Sequence, residues 1–445
     1  MTDKQSTKPP AGTRDFLPDE IRKREHVIGV IRDVYEKYGF EPLETPAFEN
    51  IETLLGKYGE EGNKLIFKIL RRGEHEATGQ ADLALRYDLT VPLSRVVAQY
   101  QNELPKFFKR YQIQPVWRAD RPAKGRFREF YQCDIDSLGS TAPVVEAELL
   151  SAVCEVLAQL GFQDFILRLN HRGLLTALLD TAGVPQGQHA EALVALDKLD
   201  KIGRDGVEKE FAVRGITEDA ARKALTFFTG EPAAPDATLA RLSGIVGRHD
   251  ALANLGAIVN LLAGTDGGKK VRIDPSLARG LSYYTGAIME VAVPDLAGSL
   301  GGGGRYDNLI GMFLGRDIPA CGFSLGLERI IVVMTERNMF PERVTGAVDV
   351  LVTMWEEPEL RADAVALAAD LRKSEMRVEV YPEADKLGKQ FKYAAERHVK
   401  FVAIQGADEK AKQIVQIKDL DSSEQTALPR SEVAAFLART LNREP

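Results

Sequence analysis

The chain has 445 residues, of which 44% are hydrophobic and 28% charged, with a formal net charge of -7. That length buries several cores and predicts two or three domains of ordinary soluble composition, while the acidic balance speaks against a general polyanion binder without excluding a local basic face. No apolar run is long enough for a bilayer and the polar start carries no signal segment, so a cytoplasmic protein is expected.

Cys133, Cys154 and Cys321 are far apart with no CxxC pair, and the histidines lack HExxH spacing, which leaves no disulfide framework and no cysteine or histidine metal motif. Residues 1–11 have no apolar period and read as a flexible tail. A helix is predicted from Pro18, with Ile28, Ile31, Tyr35 and Tyr38 on one face and Gly39 as its stop. A strand from Phe40 to Thr45 follows and Pro46 ends it. Leu65–Ile69 and Leu83–Arg86 read as further strands around a polar loop, and Tyr87-Asp88-Leu89-Thr90 opens a helix in which Pro92 is tolerated. Asp88 and Thr90 have the chemistry of helix caps as much as of ligand contacts.

The stretch from Tyr111 to Asp136 carries the most information. Tyr111–Trp117 and Phe127–Ile135 read as two antiparallel strands, joined by a turn that Pro122 and Gly125 mark. Arg118, Asp120, Arg121, Lys124, Arg126, Arg128 and Glu129 crowd the strand ends and the turn. An arginine fork in such a place holds phosphate by paired hydrogen bonds, although a solvated hairpin tip has the same composition.

An amphipathic helix over Pro143–Leu160 and a strand over Phe165–Leu169 come next, and the segment 170–268 reads as a helical insertion broken at Val184-Pro185, Gly230-Glu231-Pro232 and Thr265-Asp266-Gly267-Gly268. Strands return at Val271–Ile273 and Ala287–Val293, flanking the string Arg279-Gly280-Leu281-Ser282-Tyr283-Tyr284-Thr285-Gly286. The run Gly301–Gly304 reads as a turn or as backbone that lets a ligand come close. Cys321–Leu325 reads as a strand that passes through Gly326 into a helix, with Arg329 in its first turn. From 344 to 445 strands and helices alternate as a separate α/β domain, with strands at Val348–Met354, Val378–Tyr381, Phe401–Gln405 and Ile414–Lys418. Its second helix combines Lys386, Lys389, Lys392, Arg397 and Lys400 with Phe391 and Tyr393, a pattern that suits RNA or simply a solvated face.

Together these residues resemble the histidyl-tRNA synthetase family, of the second structural class of aminoacyl-tRNA synthetases, over nearly the full length. The helix and strand ending at Pro46, the hairpin with Arg118, and Gly322-Phe323-Ser324-Leu325-Gly326-Leu327-Glu328-Arg329 resemble the three motifs of the class. Arg279-Gly280-Leu281-Ser282-Tyr283-Tyr284 resembles a stretch peculiar to the histidine enzymes, with Ser282 where many members have aspartate. Gly12-Thr13-Arg14-Asp15-Phe16 and Leu196-Asp197-Lys198-Leu199-Asp200-Lys201 are similar to the form seen in eukaryotes and some bacteria.

The resemblance implies an α+β fold: a six-stranded antiparallel catalytic sheet flanked by helices (residues 12–169 and 269–343), the insertion over it, and a C-terminal anticodon-binding domain (344–445). It implies a homodimer that uses ATP with Mg2+, L-histidine and tRNA(His), and has no membrane partner. Arg118 and Arg279 are the implied catalytic residues, with Arg118, Arg126, Glu129 and Arg329 at ATP. Asp88, Leu89, Thr90, Gln132, Asp136, Arg279, Tyr283 and Tyr284 are implied at histidine. Glu129 and Asp134 are the candidate magnesium ligands. A regulatory paralogue of the family and a synthetase for proline, threonine or glycine remain the alternatives. The residue types suit the implied chemistry, because a substrate carboxylate is already ionised at neutral pH and needs alignment and charge neutralisation rather than an enzyme nucleophile.

Overall fold

A computed structural model describes residues 6–73, 78–230, 233–278, 283–341, 344 and 346–441. The beginning of the expected tail, part of the polar loop after Arg71, the break at Glu231-Pro232, the segment Arg279 to Ser282 and the boundary at Arg343 lie outside the described residues. Two compact units are present, one reaching Asp15 and resuming over Arg24–Met339, the other made of Phe16–Lys23 and the chain from Phe340 onward.

Helix α1, Pro18–Lys37, starts on a proline, carries Asp19 and Glu20 in its first turn and Lys37 in its last, all of which complement the helix dipole. Gly39 then takes φ 74°, a left-handed conformation that costs glycine nothing, and the chain turns into the sheet. The strand expected over Phe40–Thr45 is only the pair Glu41–Pro42 (β1), because its residues dock parallel to one edge of the sheet rather than entering it. Phe48–Asn50 (β2), Lys68–Leu70 (β3) and Ala81–Leu85 (β4) form a separate three-stranded sheet in the order β2-β4-β3. Helix α2, Thr90–Gln99, follows.

The main sheet is built from β5 (Phe108–Trp117), β6 (Glu129–Leu138), β7 (Ile166–His171), β8 (Val271–Ile273), β9 (Ala287–Ala292), β10 (Ser299–Arg305) and β11 (Ala320–Gly326), with β1 at its edge. Its order is β1-β5-β6-β11-β10-β9-β7-β8. The six central strands pair antiparallel, as the resemblance implies, and β1 and β8 add a parallel neighbour at each end. The glycine run is therefore a central strand rather than a turn.

One side of this sheet is covered by α1, by α3 (Val144–Gln159) and by α4 (Leu327–Glu336). Tyr35 of α1 donates its hydroxyl to the Cys133 carbonyl at 3.2 Å, and Arg305 of β10 reaches Glu146 of α3 at 2.7 Å. Ile31, Val34, Leu149, Leu150, Val153 and Val156 are fully buried there, each worth about 1.5–3 kcal/mol relative to exposure. Arg24 and Glu328 form a buried pair at 2.8 Å, and the other Glu328 oxygen accepts the Tyr131 N–H at 2.9 Å, so α1, α4 and β6 are pinned at one point. Helices between Arg172 and Lys270 make up the region expected as the insertion.

In the second unit β12 (Val350–Val352), β13 (Val378–Val380), β14 (Phe401–Ile404), β15 (Ile414–Asp419) and β16 (Gln425–Pro429) form a sheet in the order β13-β12-β14-β15-β16. The last of these is an added strand that the sequence pattern does not announce, since it is exposed at almost every position. Phe391 and Tyr393 of the helix Leu387–Glu396 pack against the core around Val402 and Tyr381, and the Tyr393 hydroxyl donates to Glu379 at 2.6 Å. These aromatics are half-buried, with one side packed on the core.

Candidate active site

Directly opposed residues of antiparallel strands project to the same face. The register Arg110↔Asp136, Gln112↔Asp134 and Gln114↔Gln132 thus places six polar side chains together on the face of β5 and β6 away from α1. On β11, Ser324 is opposite Asp134 and Gly322 opposite Asp136. The same row continues to Gly304 on β10. A Cβ at Gly322 would collide with Asp136 Oδ1, and one at Gly304 would lie 2.8 Å from the Tyr284 ring. The glycines clear a floor across which Asp136 and Tyr284 can lie.

Around that floor the side chains form a connected set. Tyr306 donates its hydroxyl to Asp136 Oδ1. Arg110, wholly buried, brings Nη2 to 2.8 Å from Asp136 Oδ2 as an ion pair lacking hydrogen-bond alignment, and donates to the Leu89 carbonyl at 3.2 Å and to Gln112 at 3.1 Å. Tyr283 hydrogen-bonds Thr90 and has its ring 5.0 Å from that of Tyr284 and 6.1 Å from that of Tyr306. Asp88 accepts from the Tyr58 hydroxyl at 3.0 Å and from the Val91 N–H at 3.1 Å, so it does act as a cap, yet its other oxygen has no hydrogen-bond partner. Gln132 donates to Ser324 Oγ at 3.0 Å, and Ser324 in turn hydrogen-bonds Asp134.

Asp88, Leu89, Thr90, Gln132, Asp136, Tyr283 and Tyr284 are thus brought together. Arg118 sits at the mouth of the hairpin, where Nε donates to the Tyr87 carbonyl at 3.0 Å and the guanidinium lies over the rings of Tyr87 and Phe130, at 4.3 and 5.2 Å. Further out, Arg126 pairs with Asp120 at 2.8 Å. Arg329 donates to the Ser299 carbonyl, and a Cβ at Gly125 would lie 3.8 Å from its Cγ, so the hairpin tip and the start of α4 approach each other. Glu129 opposes Trp117 at the beginning of β6 and, an odd number of residues away, projects from the face opposite to Gln132 and Asp134. Arg279 is outside the described residues. Tyr58, Arg110 and Tyr306 join the cluster without having been singled out in the sequence.

Burial dominates the electrostatics. It raises the Asp88 carboxyl against the pull of the Val91 N–H and Arg118. It pushes Asp134 up to about 7, with Arg110 opposing and Asp136 adding to the rise, and raises Asp136 against Arg110 and the Tyr306 hydroxyl. Asp88 Oδ2, Gln132 Oε1, Asp134 Oδ1 and Arg110 Nε have no hydrogen-bond partner within the chain. Several such atoms in one place are costly unless they meet a polar ligand. The arrangement can hold a cationic amine and a polar ring inside, with an anion at the arginines outside.

An antiparallel sheet with a charged hairpin, a glycine-cleared floor and an arginine at the start of the following helix is the catalytic architecture of a class II aminoacyl-tRNA synthetase. The family profile described as Histidyl-tRNA synthetase matches residues 12–330, and one described as Anticodon binding domain matches residues 347–440. The Histidine--tRNA ligase of Christiangramia forsetii is 42% identical over 441 residues, covering 94% of this chain and 96% of its own length. That of Gloeobacter violaceus is 40% identical over 459 residues, covering 97% and 98%. The crystal structure of histidyl-tRNA synthetase from Nostoc sp. PCC 7120 superposes with a TM-score of 0.84 at 31% identity, covering 98% of this chain and all of that one. The chain belongs to the histidyl-tRNA synthetase family.

Proposed function

We infer that the protein is a histidine--tRNA ligase: it condenses L-histidine with ATP to histidyl-adenylate and pyrophosphate, then passes the histidyl group to the terminal ribose of tRNA(His) with release of AMP. The observation that carries the amino-acid choice is the buried set of Asp136, Tyr306, Tyr283 and Tyr284 beside Arg110. A neutral imidazole has one donor and one acceptor nitrogen, and this set supplies an acceptor carboxylate and phenolic hydroxyls within one buried cluster. In this reading Asp136 and Tyr284 face the ring, Tyr283 walls it, and Asp88, Thr90 and Gln132 take the α-ammonium group beside Leu89.

The histidine carboxylate attacks the α-phosphorus. Arg118 is held by its stack on Tyr87 and Phe130, which fixes its fork toward the α-phosphate without an entropy cost at the moment of reaction. Arg279 acts on the charge developing at the same phosphate and on the carboxylate, while Arg126, Glu129 and Arg329 attend the rest of ATP. Magnesium comes with the nucleotide. Glu129 and Asp134 project from opposite faces of β6, and among the described residues no group of three or more His, Cys, Asp or Glu side chains converges to hold an ion. These residues do not converge as a magnesium site, and no step is assigned to the ion. Residues 12–169 and 269–343 form the catalytic domain in this reading, 170–268 an insertion, and 344–445 the part that grips the anticodon. A homodimer in the cytoplasm completes the proposal.

The test is ATP–pyrophosphate exchange with each amino acid in turn. Exchange with histidine alone is expected. Exchange driven by proline, threonine or glycine overturns the amino-acid assignment, and no exchange with any amino acid points to the non-catalytic regulatory paralogue.

A further inference from the structure

The string Gly12-Thr13-Arg14, which precedes α1, has no part in the contacts just assigned, yet it lies against the charged hairpin. The last regular pair of β5 and β6 on the hairpin side is Trp117↔Glu129. In the next pair, directly opposed antiparallel residues would exchange two hydrogen bonds. Only one is made. The Arg118 N–H donates to the Arg128 carbonyl at 2.9 Å, but the Arg128 N–H donates to the Gly12 carbonyl at 2.8 Å. The two arms therefore part at the place where Gly12 steps in.

Side chains reinforce that junction. The Arg128 stem crosses Gly12 so closely that a Cβ there would lie 2.7 Å from its Cγ, and Gly12 has φ 84°, so the position suits glycine on both counts. Arg128 then donates Nε to the Asp120 carbonyl at 3.1 Å and Nη1 to the Ala11 carbonyl at 3.3 Å, tying the first arm to the segment before α1. The Asp120 carboxylate in turn holds Arg126 at 2.8 Å. Arg14 lies over the Phe127 ring, 3.5 Å from its centroid, a cation against the negative face of an aromatic. The turn itself is fixed by the Pro10 carbonyl, which accepts the Thr13 N–H at 3.0 Å and the Thr13 hydroxyl at 2.8 Å.

We propose that the turn Pro10–Arg14 is a positioning element for ATP, with Gly12 and Arg14 as its positioning residues. By taking the Arg128 N–H and stacking on Phe127 it sets the spacing of the two arms, and with it the aim of Arg118 and Arg126. Arg118, Arg121, Lys124, Arg126 and Arg128 outnumber Asp120 and Glu129 in this hairpin, so the arms repel each other before a nucleotide is bound. Holding them in place beforehand spares ATP the cost of ordering them, and small misplacements of such groups are expensive in rate. The residues assigned to histidine, Gln132 and Asp136, lie further along β6 where its pairing with β5 is complete, so the nucleotide side alone depends on the turn. The inference rests on the assignment of Arg118 and Arg126 to ATP.

The experiment is ATP–pyrophosphate exchange by the full chain, varying ATP at saturating histidine and histidine at saturating ATP. Arg14→Ala is expected to raise the ATP KM roughly three- to tenfold and to leave the histidine KM unchanged. Arg14→Lys should recover most of the loss, since an ammonium group is also drawn to the ring. Gly12→Ala, which strains the turn and displaces Arg128, should raise the ATP KM roughly tenfold or more. Arg14→Ala combined with Phe127→Leu should be no worse than the poorer single variant, because both remove one contact. An ATP KM like the parent's in folded Arg14→Ala overturns the inference, as do equal rises in both KM values or strictly additive effects in the double variant. If Gly12→Ala fails to fold, the Arg14 series decides alone, as it alters only a half-buried side chain ahead of α1. Arg118→Ala with unaltered exchange overturns the ATP assignment, and this inference with it.

Discussion

Asp136 is held from two sides before any substrate is present, by the Tyr306 hydroxyl and by Arg110. In the proposed reading, removing its carboxylate takes away the acceptor for the ring, and it leaves Arg110 without its ion-pair partner, so Asp136→Ala is expected to raise the histidine KM a hundredfold or so while the ATP KM changes little. An unaltered histidine dependence in the exchange assay sinks the assignment. Tyr284→Phe should act in the same direction but less, as the loss of one neutral hydrogen bond. Arg279→Ala should lose on the order of a hundred- to a thousand-fold in exchange rate in a folded protein, the usual consequence of removing one preorganised charge contact to a transition state. The buried Asp134 carboxyl also leaves a mark on stability. A carboxyl with a raised folded pKa, here from 3.8 to about 7 for Asp134, costs increasing stability as pH rises from the unfolded value to the folded one, because the unfolded chain ionises first. The melting temperature of Asp134→Asn relative to the parent should therefore climb between about pH 4 and about pH 7, and a difference that stays flat with pH refutes the raised carboxyl. At this scale the sequence singled out residues that the fold brings together, as with Asp88, Thr90, Gln132 and Asp136. Arg110 was not among them, because an arginine among the lysine and glutamines of β5 carries no local sign that its partner sits twenty-six positions further on. Tyr58 was not either, since its link to Asp88 is purely tertiary.

Among the elements, the central glycine strand is the most instructive. Periodicity assigns side chains to faces, and a run of glycines has none to assign, so β10 was invisible as a strand although it lies between β9 and β11 throughout its length. The opposite error applies to β1: its residues have strand character, but only two of them find a partner. The helix α1, with its proline start, clear period and glycine stop, was legible almost to the residue, and α2 was legible at its start. The glycine floor makes a test at its own scale. Gly322→Ala puts a methyl group against Asp136 Oδ1 and must displace that side chain. A folded variant with impaired histidine binding and little change toward ATP is expected from exchange kinetics. The pin between Arg24 and Glu328 is structural by contrast. Glu328→Ala strands a buried guanidinium and should cost about 3–5 kcal/mol in chemical denaturation, well above a surface pair.

For the whole molecule, the division of labour between catalytic and RNA-gripping parts predicts that a chain ending near residue 343 still activates histidine but charges tRNA far more slowly. Equal charging by a folded truncation refutes that division. The sheet order also has a consequence for how the protein is made. β6 leaves the ribosome early and pairs at once with β5, but the strand that occupies its other edge, β11, begins only at Ala320. At ~5–20 residues per second, translation from Leu138 to Ala320 takes roughly ten to forty seconds, during which that edge of the nascent hairpin has no neighbour. An open edge invites pairing with any passing strand, and charges directed along one of its faces are among the few deterrents available. Asp134 and Asp136, buried in the finished molecule, thus begin as the guard on an unfinished sheet.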